Sequence, residues 1–137
     1  MAKIITLTEA GSIALHAMVL IAKSEGKLNV VKISEATGSS KHHVAKVMQR
    51  LVKDNYLTSD RGPYGGFALK KEPGDISLLD IYTTIEGDIE ISSCAMGHLK
   101  CPFESCILGD LAKRMSLDFK EYLGKRTLAD YISGDFK

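Results

Sequence analysis

The sequence predicts a mainly α-helical protein with one small β-hairpin. Apolar residues recur at intervals of three and four through several segments, which is the periodicity of amphipathic helices. A Gly- and Pro-rich stretch, DRGPYGG, lies between two short strand-like segments, which is typical of a hairpin. The length of 137 residues and the hydrophobic fraction of 45% fit one domain, or one small domain with an appendage.

The charge is unevenly distributed along the chain, although the net charge is only +1. Residues 1–75 contain 11 Lys and Arg against 7 Asp and Glu, a net charge of +4. Residues 76–137 contain 7 Lys and Arg against 10 Asp and Glu, a net charge of −3. This asymmetry indicates that the first part contacts a polyanion.

The chain is predicted to be cytoplasmic. No stretch of the sequence is long and apolar enough to span a membrane. Glu9, Ser12 and His16 interrupt the apolar run near the N-terminus, so an amphipathic helix is predicted there and not a signal peptide. The three cysteines cannot all pair within one chain, and a reducing compartment disfavours disulfides.

Two helices are predicted in the first forty residues. The first begins after Thr8 or Thr6 and ends at KSEGK. A short helix around Ser34–Thr37 follows, and Gly38 ends it. The apolar positions of the first helix are Ile13, Ala14, Ala17, Met18 and Ile21.

A polar-faced helix and the hairpin come next. Ser39 or Ser40 caps a helix over Lys41–Asn55. Its apolar positions, spaced as on one helix face, are Val44, Val47, Met48 and Leu51. The strand-like segments Tyr56–Ser59 and Phe67–Lys70 then flank DRGPYGG. Farther along, ISLLDIYTTIEG predicts a short helix, and CILGDLAKRMSLDFKEYLGKRTLADYI predicts a long one, broken near Gly124.

A short helix, a glycine turn, a polar-faced helix and a basic hairpin are, in this order, the elements of a winged helix-turn-helix. A helix can lie in the major groove of DNA when one face docks on its own domain and the other carries donors. Arg61, at the tip of the hairpin, is predicted to enter a narrow minor groove, where the negative potential is enhanced. The candidate DNA-binding residues are Ser39, Ser40, Lys41, His42, His43, Lys46, Gln49, Arg61, Gly62 and Tyr64.

The alternative interpretation is a solvent-exposed basic helix beside an ordinary turn. Each feature taken singly fits that alternative, and His42 and His43 carry less weight than Arg61 or Lys41. The segment from residue 41 to residue 71 nevertheless contains 7 Lys and Arg against 2 Asp and Glu. Order, spacing and charge together favour DNA binding.

All three cysteines lie within CAMGHLKCPFESC, at Cys94, Cys101 and Cys106. Thiolates are soft ligands that suit an iron–sulfur cluster or Zn²⁺. His98 is a local candidate for a fourth ligand, because a Cys₃His set also suits structural Zn²⁺. The alternative is that the three cysteines are buried and act as small hydrophobic residues. An enzyme is not predicted, since the sequence contains no C-x-x-C pair, phosphate-binding glycine loop or catalytic Ser/His/Asp arrangement.

The sequence resembles the Rrf-type family of winged-helix transcription regulators, in particular its iron–sulfur cluster-binding branch of IscR- and NsrR-like proteins. The most specific matching segments are RGPYGGFAL, the following P-x-x-I-S-L-L-D-I and the closing IEG. The N-terminal LTEAGSIALHAM is similar to the first helix of the family. The resemblance covers nearly the whole chain.

The resemblance implies a homodimer that binds a roughly palindromic operator. It implies a winged helix-turn-helix domain over residues 1–75, with the first helix also near the dimer interface. Residues 76–137 would then contain a connecting helix, the cysteine loop and a dimerisation helix at about Leu108–Leu123.

The resemblance also implies a metal site. Cys94, Cys101 and Cys106 would bind an iron–sulfur cluster, with a 4Fe–4S cluster preferred over 2Fe–2S. Glu9 of the partner subunit is the favoured fourth ligand, His98 is less favoured and Asp110 is a remote alternative. The predicted function is a transcription repressor that senses nitric oxide, redox state or iron. The alternative is a regulator of the same family without a cluster, using thiol oxidation or Zn²⁺.

Overall fold

Five α-helices and an antiparallel hairpin form the described part of the chain, which comprises residues 1–91, 94–96 and 100–133 of a computed structural model. The elements are α1 (Glu9–Lys23), α2 (Val30–Thr37), α3 (Lys41–Lys53), β1 (Leu57–Asp60), β2 (Gly66–Leu69), α4 (Leu78–Glu86) and α5 (Leu111–Lys125). Short 3₁₀ turns occur at Pro73–Asp75 and Leu128–Tyr131. The predicted fold class, mainly α with a hairpin wing, is confirmed.

The first turn of α1 is fixed from two sides. The Thr8 hydroxyl oxygen accepts a hydrogen bond from the backbone N–H of Gly11 at 3.0 Å, which confirms Thr8 as the cap. The same hydroxyl donates to the Glu86 carboxylate at the end of α4. The start of α1 and the end of α4 are therefore held together.

α2 begins four residues earlier than the sequence predicted, at Val30 and not at Ser34. The side chain of Asn29 accepts a hydrogen bond from the backbone N–H of Lys32 at 2.9 Å and so caps the helix ahead of its β-branched residues. Gly38 ends α2 as predicted, with φ of 74°, in the left-handed region that glycine adopts without strain.

The turn between α2 and α3 is closed by side-chain hydrogen bonds. The Ser34 hydroxyl donates to the carbonyl oxygen of Ser39 at 2.5 Å. The Ser40 hydroxyl caps α3 by accepting from the backbone N–H of His43 at 3.2 Å. α3 ends at Lys53, two residues before the predicted Asn55, which has a φ of 68° and turns the chain towards β1.

The hairpin pairs Leu57 with Leu69 and Asp60 with Gly66. Both strands lie within one residue of their predicted ends. A backbone bridge joins Leu28, before α2, to Phe67. The Phe67 N–H donates to the Leu28 carbonyl at 2.7 Å, and the Leu28 N–H donates back at 3.2 Å. The end of the hairpin nearest its turn is thus attached to the helical domain.

α4 begins with a capping box in which Ser77 and Asp80 exchange hydrogen bonds. α5 begins at Leu111, later than the predicted start at Cys106 or Leu108, since turns occupy the intervening residues. The predicted break near Gly124 lies one residue from the end of α5.

One hydrophobic cluster holds these elements together. It includes residues from α1, α2, α3, β1, α4 and the chain beyond α5. Its fully buried members include Ile13, Met18, Ile33, Met48, Leu51, Leu57, Ile76, Ile81 and Leu128. The proposed boundary at residue 75 stays a prediction, and core residues from both sides of it pack in this cluster. Within the described residues, no helix is long and apolar enough to cross a membrane.

Replacement of Ile33 by Ala is expected to lower the free energy of unfolding by about 2–5 kcal/mol, because it leaves a cavity at a fully buried position. Val31→Ala is the control, since Val31 lies on the same helix and is 41% exposed. It should change the free energy by less than about 0.5 kcal/mol. Urea unfolding of both variants at one protein concentration measures the difference, and equal losses would contradict the assigned buried face of α2.

Candidate nucleic-acid interface and cysteine site

The outer face of α3 is polar and basic. The side chains of Lys41, His42, Lys46 and Gln49 are exposed. The opposite face consists of the predicted apolar positions Val44, Val47, Met48 and Leu51, all of which are buried. Ser40 is exposed at the start of the helix, while Ser39 and His43 are half-buried. α3 therefore presents hydrogen-bond donors outward while its inner face is docked on the domain.

The tip of the hairpin is a tight turn. The backbone N–H of Gly65 donates to the carbonyl oxygen of Gly62 at 2.9 Å, and Gly62 has a φ of 98°. A Cβ atom at Gly65 would lie 2.3 Å from the carbonyl oxygen of Asp60, closer than van der Waals contact allows. Arg61 and Tyr64 are both exposed at this turn, and Tyr64 is 93% exposed. The turn thus displays one cation and one aromatic ring.

Several lysines near the hairpin already have intramolecular partners. Lys27, which sequence patterns did not single out, forms an ion pair with Asp60 at the end of β1. Lys70 donates to the side-chain oxygen of Asn55 at 2.9 Å, and the ammonium of Lys71 lies 4.4 Å from the centre of the Tyr56 ring. These contacts join the hairpin to its surroundings. The Lys27 pair neutralises the carboxylate beside Arg61.

Glu9 and His43 are brought together across two helices. The Glu9 carboxylate, in the first turn of α1, lies 3.2 Å from Nδ1 of His43, in the first turn of α3. The Glu9 side chain is 60% exposed and the His43 side chain 34%. The sequence assigned these two residues to different sites, and no local pattern predicts their contact.

The three cysteines line one cavity of about 350 Å³. All three side chains are exposed, and the apolar side chains of Phe103 and Ile107 form part of the wall. The backbone N–H of Leu108 donates to the sulfur of Cys106 at 3.4 Å. By ligand type, three thiolates beside apolar groups and an N–H donor suit an iron–sulfur cluster or Zn²⁺.

The three cysteines line the cavity, but the described residues do not form a metal site. Within residues 1–91, 94–96 and 100–133, no three His, Cys, Asp or Glu side chains are positioned to hold one metal ion. His98 lies outside the described residues. The Asp110 carboxylate instead accepts a hydrogen bond from the Arg114 guanidinium at 2.9 Å, which lowers the pKa of Asp110 below its usual value.

α5 carries an apolar stripe on its exposed side. Leu111, Met115 and Tyr122 recur at helical spacing and are between 38% and 51% exposed. Leu108, in the turn before α5, is 42% exposed. The adjacent side of α5 packs on α4, where the rings of Tyr82 and Phe119 meet edge to face at 5.4 Å. The exposed stripe lies within the predicted dimerisation segment Leu108–Leu123.

Comparison with protein families gives a match over nearly the whole chain. The sequence model of the Rrf2 family, described as "Iron-dependent Transcriptional regulator", matches residues 7–134. The chain is 29% identical over 132 residues to the HTH-type transcriptional regulator IscR of Sodalis glossinidius, covering 94% of this chain and 79% of that protein. It is 28% identical to IscR of Serratia proteamaculans, covering 93% and 79%.

Solved structures show the same fold. CymR (YrzC), the global cysteine regulator of B. subtilis, superposes with a TM-score of 0.76 at 27% identity, covering 97% of this chain and all of that one. IscR of T. potens superposes with a TM-score of 0.73 at 26% identity, covering 96% and 89%. Both structures are therefore similar to this chain over most or all of their lengths.

Replacement of Gly65 by Ala is expected to lower the free energy of unfolding by about 1 kcal/mol or more, because the added methyl group meets the backbone of Asp60. Gly74→Ala is the matched control, since a Cβ atom there would have nothing within 4 Å. Urea unfolding provides the comparison, and amide hydrogen exchange should show the loss of protection confined first to the hairpin. Equal stability of the two variants would contradict the tight turn.

Proposed function

The chain belongs to the Rrf2 family of DNA-binding transcriptional regulators, and from this premise we propose that it is a dimeric repressor controlled by an iron–sulfur cluster. The observation that carries the proposal is the cavity lined by Cys94, Cys101 and Cys106. The IscR relatives support the same cofactor. These relatives are regulators and not enzymes, and the chain is assigned no catalytic residue.

Residues 1–75 would bind the operator. The exposed donors of α3 would enter the major groove, where base edges differ in their pattern of donors and acceptors. Arg61 would enter the adjacent minor groove, with Gly62 allowing the backbone to approach the duplex. The proposed contacts are Ser39, Ser40, Lys41, His42, His43, Lys46, Gln49, Arg61, Gly62 and Tyr64.

A second copy of the chain would cover the exposed stripe of α5. Leu111, Met115 and Tyr122 lie on one side of the helix, and the exposure of such a stripe to water is unfavourable in a monomer. Two-fold pairing of α5 would place two copies of α3 in opposite orientations. That arrangement requires a roughly palindromic operator.

Cys94, Cys101 and Cys106 would hold the cluster, which when bound supplies a centre that reacts with nitric oxide or oxidants and depends on iron supply. Ligation would join both ends of the segment 94–106. The release of any one thiolate would free that segment, which is separated from α5 by four residues, and so alter the spacing of the two DNA-binding domains. A 4Fe–4S cluster remains the preferred type.

Glu9 of the partner subunit is the proposed fourth ligand, ahead of His98. A carboxylate is a weak ligand for a soft centre, so a signal molecule could displace it more easily than a thiolate. The Glu9 side chain is 60% exposed and is therefore accessible to a partner subunit. Asp110 is less suitable, because Arg114 already holds its carboxylate at 2.9 Å.

Protein purified without oxygen from iron-replete cells is expected to be brown and to contain about four iron atoms per chain. Cys94→Ala, Cys101→Ala and Cys106→Ala should each lose most of the iron and the visible absorption. Met96→Ala is the control, because Met96 lines the same cavity without a thiolate. Iron and sulfide analysis measures the loss, and titration with nitric oxide tests the signal. A colourless, iron-free wild-type protein would contradict the proposal.

A regulator of the same family that uses thiol oxidation or Zn²⁺ is the alternative. It is favoured by the similarity to B. subtilis CymR, which is as close in structure as IscR of T. potens, and by the exposure of all three cysteines. Zinc in place of iron, or reversible loss of DNA binding upon oxidation of an iron-free protein, would support this alternative.

Arg61→Ala is expected to weaken operator binding by about tenfold or more and to reduce the salt dependence of binding by about one counterion. Lys120→Ala is the control, since it removes an equal charge from an exposed position of α5 on the side of the helix away from Leu111 and Tyr122. Fluorescence anisotropy at several salt concentrations provides both quantities. Equal effects of the two substitutions would refute the role of Arg61.

Sedimentation of the same samples tests the dimer. Arg61→Ala should sediment as the wild type does, because the hairpin is not part of the proposed interface. A wild-type protein that sediments as a monomer at the concentrations used for DNA binding would contradict the pairing of α5.

A further inference from the structure

Tyr64 has the most exposed aromatic side chain in the described part of the chain. Its exposure is 93%, against 59% for Phe103 and 51% for Tyr122. Exposure of a whole aromatic ring to water forgoes the favourable burial of a large apolar surface. No described contact within the domain uses this ring, so the ring is available to a molecule outside the chain.

The ring is displayed by a well-defined turn. Tyr64 follows Pro63, whose φ is fixed by its own ring, inside the hydrogen bond from Gly65 to Gly62 at 2.9 Å. Behind the turn, Gly66 packs so closely that a Cβ atom would lie 2.7 Å from the carbonyl oxygen of Leu28. The tip therefore loses little conformational entropy upon binding a partner.

The surroundings of the ring are cationic. Arg61 is exposed at the other end of the same turn, and Lys27 neutralises the carboxylate of Asp60. A partner for this tip must accept a positive charge and a flat apolar ring together. The minor groove of DNA does both, because its potential is negative and deoxyribose rings form its walls.

We propose that Tyr64 is a specificity-determining residue that packs against the sugar walls of the minor groove and favours narrow, A·T-rich sequence beside the position of Arg61. A narrow groove contacts both faces of the ring, whereas the exocyclic amino group of guanine occupies the floor of the groove at G·C pairs. This inference rests on the proposed DNA-binding function and adds a non-polar, shape-dependent contact to it.

The test uses the full chain and duplexes that the wild-type protein enriches from a random-sequence pool. Tyr64→Ala is expected to bind the enriched duplex about tenfold more weakly. It should also discriminate less between A·T and G·C pairs at the positions where the wing contacts DNA. The salt dependence of binding should stay unchanged, because no charge is removed. Tyr64→Phe retains the ring and should behave as the wild type. Arg61→Ala, in contrast, should reduce the salt dependence of binding.

Three results would overturn the inference. The first is a Tyr64→Ala variant that binds the enriched duplex and discriminates between A·T and G·C pairs as the wild type does. The second is a change of salt dependence in Tyr64→Ala as large as that of Arg61→Ala, which would indicate an electrostatic role. The third is a Tyr64→Ala variant that binds DNA as the wild type does but has lost a binding to anionic lipid vesicles that the wild type shows. If the wild-type protein enriches no duplex at all, the proposed DNA-binding function fails as well, so the two failures are distinguishable.

Discussion

The packing of the apolar face of α3 against α1 is the interaction on which the rest of the structure depends. Val44, Met48 and Leu51 are completely buried, so the orientation of α3 about its own axis is fixed. That orientation decides which side chains face outward, and it leaves Lys41, Lys46 and Gln49 exposed. α1 also packs against α4, and α4 packs against α5. The proposed DNA-binding face and the exposed stripe of α5 are therefore positioned by one continuous core.

The first turn of α1 connects three parts of this arrangement. Thr8 caps the helix and bonds to Glu86 of α4, while Glu9 contacts His43 at 3.2 Å in the first turn of α3. Glu9 is also the proposed ligand to the partner's cluster. A cluster ligand and the partner of His43 would then be the same carboxylate, so use of Glu9 as a ligand would bear on a contact of the proposed DNA-binding helix.

Local patterns predicted most of the fold, because helical periodicity and caps are encoded within a few residues. Thr8 and Ser40 cap α1 and α3 as predicted, and the hairpin lies within one residue of its predicted strands. The predicted start of α2 was wrong, because the cap by Asn29 outweighed the low helix propensity of the β-branched residues after it. Pairs such as Glu9 with His43 and Lys27 with Asp60 are distant in sequence, and only the packed core brings them together.

The cysteine site shows the same division between chemistry and geometry. The residue types and their spacing predicted a compact set of soft ligands, and the three cysteines do line one cavity, but within the described residues they are not positioned to hold one metal ion. Cys106 is joined to α5 by consecutive turns, in which the N–H of Gly109 donates to the Cys106 carbonyl at 3.0 Å and the N–H of Leu111 donates to Leu108 at 3.2 Å. These turns connect Cys106 directly to Leu111, the first residue of the exposed stripe. If Cys106 binds a cluster and α5 pairs in a dimer, as proposed, ligation and pairing would be linked through five residues of chain.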